Sequence, residues 1–500
     1  MNLRDHLLAA LRSLPGTREF HIHVLVTAPA KDNSLYPYAS PRPRLYAQDI
    51  LVLLSEQANP DSAPVFVSAI EASVFNAPAT DCAILYVSKV DSTGQGISPP
   101  PTATLLSTLI AWYADPTTRP VSARHLWVHL FARAQSQYLF PNSADYEGKK
   151  PLSDVKLCAW WRRVLGRVAA DVAVAVGETG MVGMYYVLPG YGQIEAEQAL
   201  GLSSIPSAST PAGPSWIYGH PYAQTAIPLP CPPPENAHNL GHFIPSFDDD
   251  PKNRFMDEIA LTDRAASPRK RARTETGRDA KERQDAGEPK APPKVERPKG
   301  ELSRVAPDEF WERMSFRQEC VAGAVTGFFA VGFSAPRREE TKPSPLAPEA
   351  GQVPRAMKRR VLTTLLTGTE FSTVERARKG TEIIESAIRG LCEGLAAHPR
   401  PPSSSASAGP SLAVPPRTPP RRTATLPSVD DVSPNPFDEP EATLETYRTH
   451  IYGAVSVSNA PLPQKAATRG QETDGAAGGV GGETPKVNVL AVRKKKRVDT

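Results

Sequence analysis

The chain has 500 residues, a formal net charge of +4, 53 prolines, 33 glycines and a hydrophobic share of 40%. Its length could carry about three domains, but the proline and glycine load means that part of it cannot bury enough apolar surface to fold. Five scattered cysteines (Cys82, Cys158, Cys231, Cys320 and Cys392) form no CxxC pair. That argues against a zinc site and for reduced thiols in the cytosol or nucleus.

The charge is uneven. Residues 264–300 hold 12 lysines and arginines against 6 acids, and residues 488–500 hold 5 against 1. What is left is net acidic, a body that attracts a basic protein substrate more than nucleic acid.

In chain order, MNLRDHLLAALRSLPG carries Arg4, Asp5 and His6 among its leucines, so it reads as an amphipathic helix rather than a signal peptide. EFHIHVLVTA (19–28) alternates like a strand. His21 and His23 would share one face of it, and they read as surface histidines rather than a metal pair. DILVLLS (49–55), PVFVSAIEASVF (64–75) and CAILYVSKVD (82–91) are further strands, and TATLLSTLIAWYA (102–114) is a helix. ARHLWVHLFARA (123–134) is a buried strand whose His125 and His129 lack the glutamate of an HExxH zinc motif. A helix over 153–176, a strand over 181–190 and a helix over 251–262 follow. Residues 264–300 contain one large apolar residue, Val295, and read as a disordered insert.

Residues 306–333 read as a return to helix. Their apolar run VAGAVTGFFAVGF (321–333) is 13 residues long with three glycines, too short to span a bilayer. Residues 334–354 read as a Pro-rich linker and 360–395 as a helix pair. A second linker, 396–487, has eleven prolines within 401–440, and a basic tail, 488–500, follows it. The expected fold class is α+β: one domain over 1–395, with a central mixed β-sheet surrounded by helices and disordered inserts at 264–300 and 334–354.

Four stretches depart from ordinary core. In YVSKVDSTGQGISPPPTATLL (86–106) a strand ends at Asp91-Ser92, and a loop feeds a helix starting at Pro101-Thr102. A helix N-terminus with free N–H groups suits a pyrophosphate, although the same pattern fits a plain capped helix. FARAQSQYLFPNS (131–143) leaves a strand through Tyr138, Leu139, Phe140 and Pro141. In CAWWRR (158–163), adjacent tryptophans on a helix point about 100° apart. Both hardly serve one core stripe, so either the core is large or one of them lines a cavity. FDDDPKNRFMDEI (247–259) sets Asp248, Asp249 and Asp250 before Pro251 and Lys252. Asp250 suits an N-cap and Pro251 the first helical position, but capping does not require three carboxylates.

With KLCAWWRR, EFWERMSFRQEC and NVLAVRKKKR, these pieces resemble, in order, the fungal histone acetyltransferases named as regulators of Ty1 transposition. That family is distantly related in structure to the metazoan coactivator acetyltransferases. The resemblance covers 1–395 and 488–497. It implies acetyl-CoA as cosubstrate and no metal. It places Val90, Asp91 and Ser92 along the pantetheine arm, and Pro101, Thr102 and Ala103 at the pyrophosphate. Phe131, Gln135, Lys150, Pro151, Leu152 and Trp160 complete the pocket. Tyr138 and Trp161 match aromatic positions near the reactive centre. Asp250 matches an acid/base group, Asp249 its electrostatic partner, and Lys252 a self-acetylated lysine. Crowded carboxylates raise the pKa of one of them, which suits it to accept or shuttle an ammonium's proton.

The implied substrate is newly made histone H3, modified on a core-region lysine as H3–H4. It is presented by histone chaperones of the anti-silencing and nucleosome-assembly types, in the nucleus, in replication-coupled nucleosome assembly and genome stability. SPRKRAR (267–273) reads as a localisation signal carrying a proline-directed Ser267, and VRKKKR (492–497) as a chaperone contact or a second such signal. No membrane is expected as a partner, the longest apolar run being too short, and no sequence-specific nucleic acid, since no aromatics interleave the basic runs. The alternative is a non-catalytic scaffold binding histones or chaperones through its basic tails.

Overall fold

The strand-like runs pair into one mixed sheet. In chain order they are β1 (Gly16–Val26), β2 (Ala30–Asp32), β3 (Leu45–Gln57), β4 (Val65–Ala77), β5 (Cys82–Ser92), β6 (His125–Ala132), β7 (Met181–Val187), β8 (Trp216–Tyr218), β9 (Gly327–Ser334) and β10 (Tyr452–Asn459). The spatial order is β10-β1-β3-β4-β5-β6-β9-β7-β8, with β2 beside β3. Pairing is antiparallel except for β5 with β6 and β7 with β8. Helices α1 (Leu3–Leu11), α2 (Thr102–Ala114), α3 (Asp154–Val176), α4 (Gln193–Ala199), α5 (Pro251–Ala265), α6 (Pro307–Met314), α7 (Arg355–Gly368) and α8 (Val374–Gly394) flank the sheet. This computed structural model describes residues 1–201 except Pro60, and 214–234, 239–265, 300–317, 324–336, 344–394 and 435–461. The basic runs 267–273 and 492–497, and Cys320, lie outside the described residues. The other four cysteines are buried free thiols.

The helices α1, α2 and α3 cover one face through Leu7, Leu11, Leu105, Leu109, Leu165 and Val168. On the other face, α7 and α8 pack Val361, Leu365, Ile384 and Ile388 over the β1–β3–β4 half. There, α5 and α6 pack Met256, Ile259 and Phe310 near Phe328 of β9. With both faces covered, β4 is buried along nearly its whole length, as expected of a central strand.

Two readings of the sequence are corrected. Residues 306–333 do not form continuous helix, because among the described residues helix covers Pro307–Met314, and Gly327–Ser334 is a strand buried at every position between β6 and β7. An apolar run without period does not distinguish a buried helix from a strand buried on both faces. The supposed linkers also contribute structure. β10 lies inside 396–487 and pairs antiparallel with β1 from Gly16↔Asn459 to His23↔Tyr452. Val353, in the stretch 334–354, is buried; its N–H donates to Val26 O at 2.9 Å, and its carbonyl accepts from Ala28 N at 3.0 Å.

That edge also corrects the reading of the histidines. His23 is fully buried, with Nε2 3.2 Å from the Tyr447 hydroxyl. His21 is largely covered, with Nδ1 2.9 Å from the Tyr452 hydroxyl. Burial lowers the pKa of His23 to about 3. The unfolded chain therefore takes up a proton here that the folded chain refuses. This contribution to stability is present above the unfolded pKa of about 6.5 and is lost as pH falls from there toward 3. Between pH 7 and pH 5, His23 should cost the fold roughly 2 kcal/mol, from about 1.4 kcal/mol per pH unit. Urea unfolding at the two pH values should show a smaller drop for His23→Gln; equal drops would refute the assignment.

Candidate functional site

β5 and β6 pair in parallel from Cys82↔His125 to Val87↔Leu130 and no further. β5 runs on to Ser92 beside β4, with a register shift near Glu71, while β6 runs on to Ala132 beside β9. The strands part, and a cleft of about 340 Å3 is lined by their carboxyl ends. The carboxyl ends of parallel strands joined by a helix are where α/β sheets bind ligands. The joining helix is α2. No side chain caps its first turn, and Thr102, which lines the cleft, has a buried hydroxyl without a hydrogen-bond partner. The loop before α2 is held from below by a buried Arg18–Glu56 pair. Arg18 Nη1 donates to Ile97 O at 2.9 Å and Pro99 O at 3.2 Å, and Glu56 accepts from Ile97 N.

The cleft gathers most of the residues expected at the cosubstrate. Val90, Asp91, Ser92 and Thr102 line it from the β5–α2 side, and Phe131, Gln135 and Tyr138 from the end of β6. Lys150, Pro151, Leu152, Trp160 and Trp161 close it. Pro101 and Ala103 do not line it, whereas Pro100 does. The two tryptophan rings meet edge-on, with centroids 5.0 Å apart. Trp161 is buried in the main core and Trp160 packs partly buried against it, yet both reach the cleft. The core and cavity readings of this doublet therefore hold together.

Asp91 lines the cleft but spends its buried carboxylate on structure. Oδ2 accepts from the backbone N–H groups of Tyr138, Leu139 and Phe140 at 2.7, 2.8 and 3.1 Å. Oδ1 accepts from Ser92 N at 2.8 Å and Lys149 Nζ at 2.9 Å. Lys149 also donates to Ser143 Oγ at 2.7 Å. Gly94, at φ +78°, lies so close to Lys149 that a Cβ would sit 2.5 Å from its Cα. Sequence reasoning missed Lys149, although it neighbours Lys150 in the GKKPL stretch. It also missed Lys89 and Arg133, which line the cleft. Lys89 is paired at 2.7 Å with Glu71, whose other oxygen takes Lys358. Burial opposes ionisation of Glu71, but the two lysines outweigh it and hold its pKa below the usual range. Four cations (Lys89, Arg133, Lys149 and Lys150) thus line the cleft against one acid, Asp91. Together with the open α2 terminus and the orphan Thr102 hydroxyl, this set fits a phosphate-bearing cosubstrate such as acetyl-CoA.

The three aspartates take separate positions. Asp250 is 2% exposed and caps α5: Oδ1 accepts from Lys252 N at 2.9 Å, and Oδ2 pairs with Lys252 Nζ. Burial pushes its pKa up, against the pull of Lys252 and with a further push from Asp249. Lys252 is itself buried, its ammonium 4.5 Å from the centre of the Phe328 ring. Phe328 stacks at 4.8 Å on Phe131 of the cleft lining. Asp248 and Asp249 are exposed, and Asp249 accepts a 2.7 Å hydrogen bond from the Tyr86 hydroxyl. Tyr138 is raised to about 12 by burial and Asp91, with Asp249 adding to the effect. Its hydroxyl donates to Arg133 O. His129 is buried nearby and lowered to about 3 by burial and by Lys252. The acidic segment therefore lies against one wall of the cleft. Among the described residues, no group of three or more His, Cys, Asp or Glu side chains is placed to hold a metal ion.

The family model for the histone acetyltransferase KAT11-type domain matches residues 115–387. The chain belongs to the KAT11-type family. A histone acetyltransferase rtt109 of Aspergillus flavus is 27% identical over 349 residues, 65% of this chain and 55% of that protein. The protein of the same description from Schizosaccharomyces pombe is 26% identical over 251 residues, 50% of this chain and 52% of its own. The chain thus spans about half the length of the curated relatives it matches. The crystal structure of Rtt109 from Aspergillus fumigatus superposes with a TM-score of 0.59 at 21% identity, over 78% of this chain and 96% of that one. That likeness establishes the fold, a mixed sheet flanked by helices. The KAT11-type match holds the cleft wall from Phe131 to Trp161 and the aspartates, while β5 and α2 precede it.

The Asp91 node sets a stability order. Asp91→Asn should lower unfolding stability by about 3 kcal/mol, because buried N–H donors lose their charged acceptor and Lys149 its partner. Lys149→Met removes one donor of five and should cost less. Equal or reversed losses in urea titration would show that the node does not hold the loop.

Proposed function

We propose that this chain is a histone lysine acetyltransferase. On this reading it uses acetyl-CoA to modify a core-region lysine of newly synthesised histone H3. Its substrate is H3–H4 held by histone chaperones of the anti-silencing and nucleosome-assembly types, in nuclear, replication-coupled nucleosome assembly. The observation that carries the reading is the cleft between β5 and β6, lined by Lys89, Arg133, Lys149 and Lys150, with Lys252 of the acidic segment packed through Phe328 behind its Phe131 wall. KAT11-type membership and the description of both curated relatives as histone acetyltransferases support it. Nuclear placement rests on SPRKRAR (267–273) as a localisation signal.

When bound, the thioester of acetyl-CoA supplies the acetyl group. The chain's own residues do the rest. The α2 N-terminus, Thr102, Arg133 and Lys150 hold the phosphates. Val90, Ser92 and Trp160 guide the pantetheine arm toward Trp161 and Tyr138. Tyr138, with its pKa raised to about 12, stays protonated near neutrality and serves as a donor and a wall, not as a base. Asp249, the exposed carboxylate, holds the incoming ammonium. Asp250 is occupied by Lys252 in the resting chain. Self-acetylation of Lys252 removes that counter-charge and leaves a buried carboxylate whose surroundings favour its protonated form. Such a group is suited to accept the substrate's proton.

Single-turnover transfer from radiolabelled acetyl-CoA to H3–H4, with and without a histone chaperone, tests this directly. Asp250→Asn should lose at least about a hundredfold in transfer rate while still binding acetyl-CoA. Lys252→Arg, which preserves charge and blocks acetylation, should lower activity with the unfolding midpoint retained. A wild-type chain that neither transfers acetyl nor binds acetyl-CoA, even with chaperone, sinks the enzyme reading and leaves the scaffold.

A further inference from the structure

We propose, building on that enzyme reading, that Tyr86 is a positioning residue for the substrate lysine. Its hydroxyl fixes Asp249 as the carboxylate that receives the incoming ammonium. Tyr86 lies on β5, next to Val87, where pairing with β6 stops and the cleft begins. Its ring stacks on Phe247 with centroids 3.7 Å apart and an angle of 2°. Phe247 directly precedes the three aspartates, so the stack pins the root of the acidic segment to the sheet. The Tyr86 hydroxyl then donates to Asp249 Oδ1 at 2.7 Å.

The division of labour among the aspartates follows from burial. Asp250 is almost wholly buried, with both oxygens engaged by Lys252. Asp249 is exposed, and an ionised carboxylate accepts at both oxygens. One bond from Tyr86 therefore orients Asp249 without using it up. An exposed aspartate without such a tie would sample several rotamers, and fixing it costs entropy at each encounter. Burial, and then Asp250, Asp249 and Asp248, push the pKa of the phenol far above its ordinary value, so it remains a donor throughout the neutral range.

A positioning role differs from a structural tie in how it couples to Asp249. Tyr86→Phe keeps the ring and its stack and removes only the hydroxyl. In steady-state acetylation of H3–H4, it should raise KM for the histone about tenfold, as expected for losing a hydrogen bond to a charged group. The acetyl-CoA Kd should not change. Asp249→Asn should raise KM similarly, and the double variant should be no worse than Asp249→Asn alone to within about twofold. An unchanged KM in Tyr86→Phe overturns the proposal, and so do effects that multiply in the double variant. A wild-type chain that binds acetyl-CoA but transfers nothing to any histone overturns the enzyme reading itself, and this proposal falls with it.

Discussion

The site depends on one constraint: β5 and β6 are parallel neighbours that stop pairing before their carboxyl ends. Up to Val87 and Leu130 they share a ladder, and beyond that each keeps only its outer partner. A parallel pair needs a crossover, and α2 supplies it, which brings a helix N-terminus to the same end of the sheet. The unpaired edges beyond the fork would be costly if left bare. One end of the gap is closed by Asp91, which takes three backbone N–H groups of the Tyr138–Phe140 loop on a single oxygen. The fork thus creates the cleft, and the carboxylate keeps it from collapsing or drifting.

Charge arrangement serves geometry here more than stability. Four largely buried carboxylates are paired around the site: Glu56 with Arg18, Glu71 with Lys89 and Lys358, Asp91 with Lys149, and Asp250 with Lys252. Buried pairs of this kind often add little net stability over apolar replacements, because desolvation cancels much of the attraction. What each does is fix a segment that has no regular ladder of its own. These segments are the 94–101 loop, the helix α7 against the sheet, the 138–149 loop and the start of α5. Losing one partner strands the other charge, so each pair specifies its segment strictly even where its net contribution is small.

The sequence shows its elements best where they are local and periodic. α2 was legible to the residue, and β3, β4, β5, β6, α3, α7 and α8 were legible within a few positions, because 3.6-residue spacing marks the helices and apolar runs of strand length, set apart by turn residues, mark the strands. β9 was not legible, since a strand buried on both faces has no period to read. β10 carries alternation at Val455 and Val457, but β1, with which it pairs, lies more than four hundred residues earlier, and Pro-rich chain surrounds it. His23 looked like a surface residue because its cover, Tyr447 and Tyr452, comes from that same distant segment. In the site, residue types in order showed the cleft lining, whereas the hydrogen bonds that assign work to Asp91, Lys149 and Tyr86 join segments far apart in sequence.

The run of three carboxylates shows why a local reading and a chemical one need not compete. Asp250 is an N-cap in full: its side chain receives the N–H of Lys252, with Pro251 at the first helical position. The cap explains why this carboxylate tolerates burial, since the helix N-terminus supplies partial positive charge that does not depend on Lys252. If Lys252 loses its ammonium, the cap and the helix dipole remain and the ion pair does not. The carboxylate is then held in place but under-neutralised, and burial shifts it toward binding a proton. Asp249, one residue earlier, escapes burial and is tied instead to Tyr86. One turn of chain thus presents an anchored exposed anion beside a capped buried one, a difference in solvation that identical side chains can reach only through different partners.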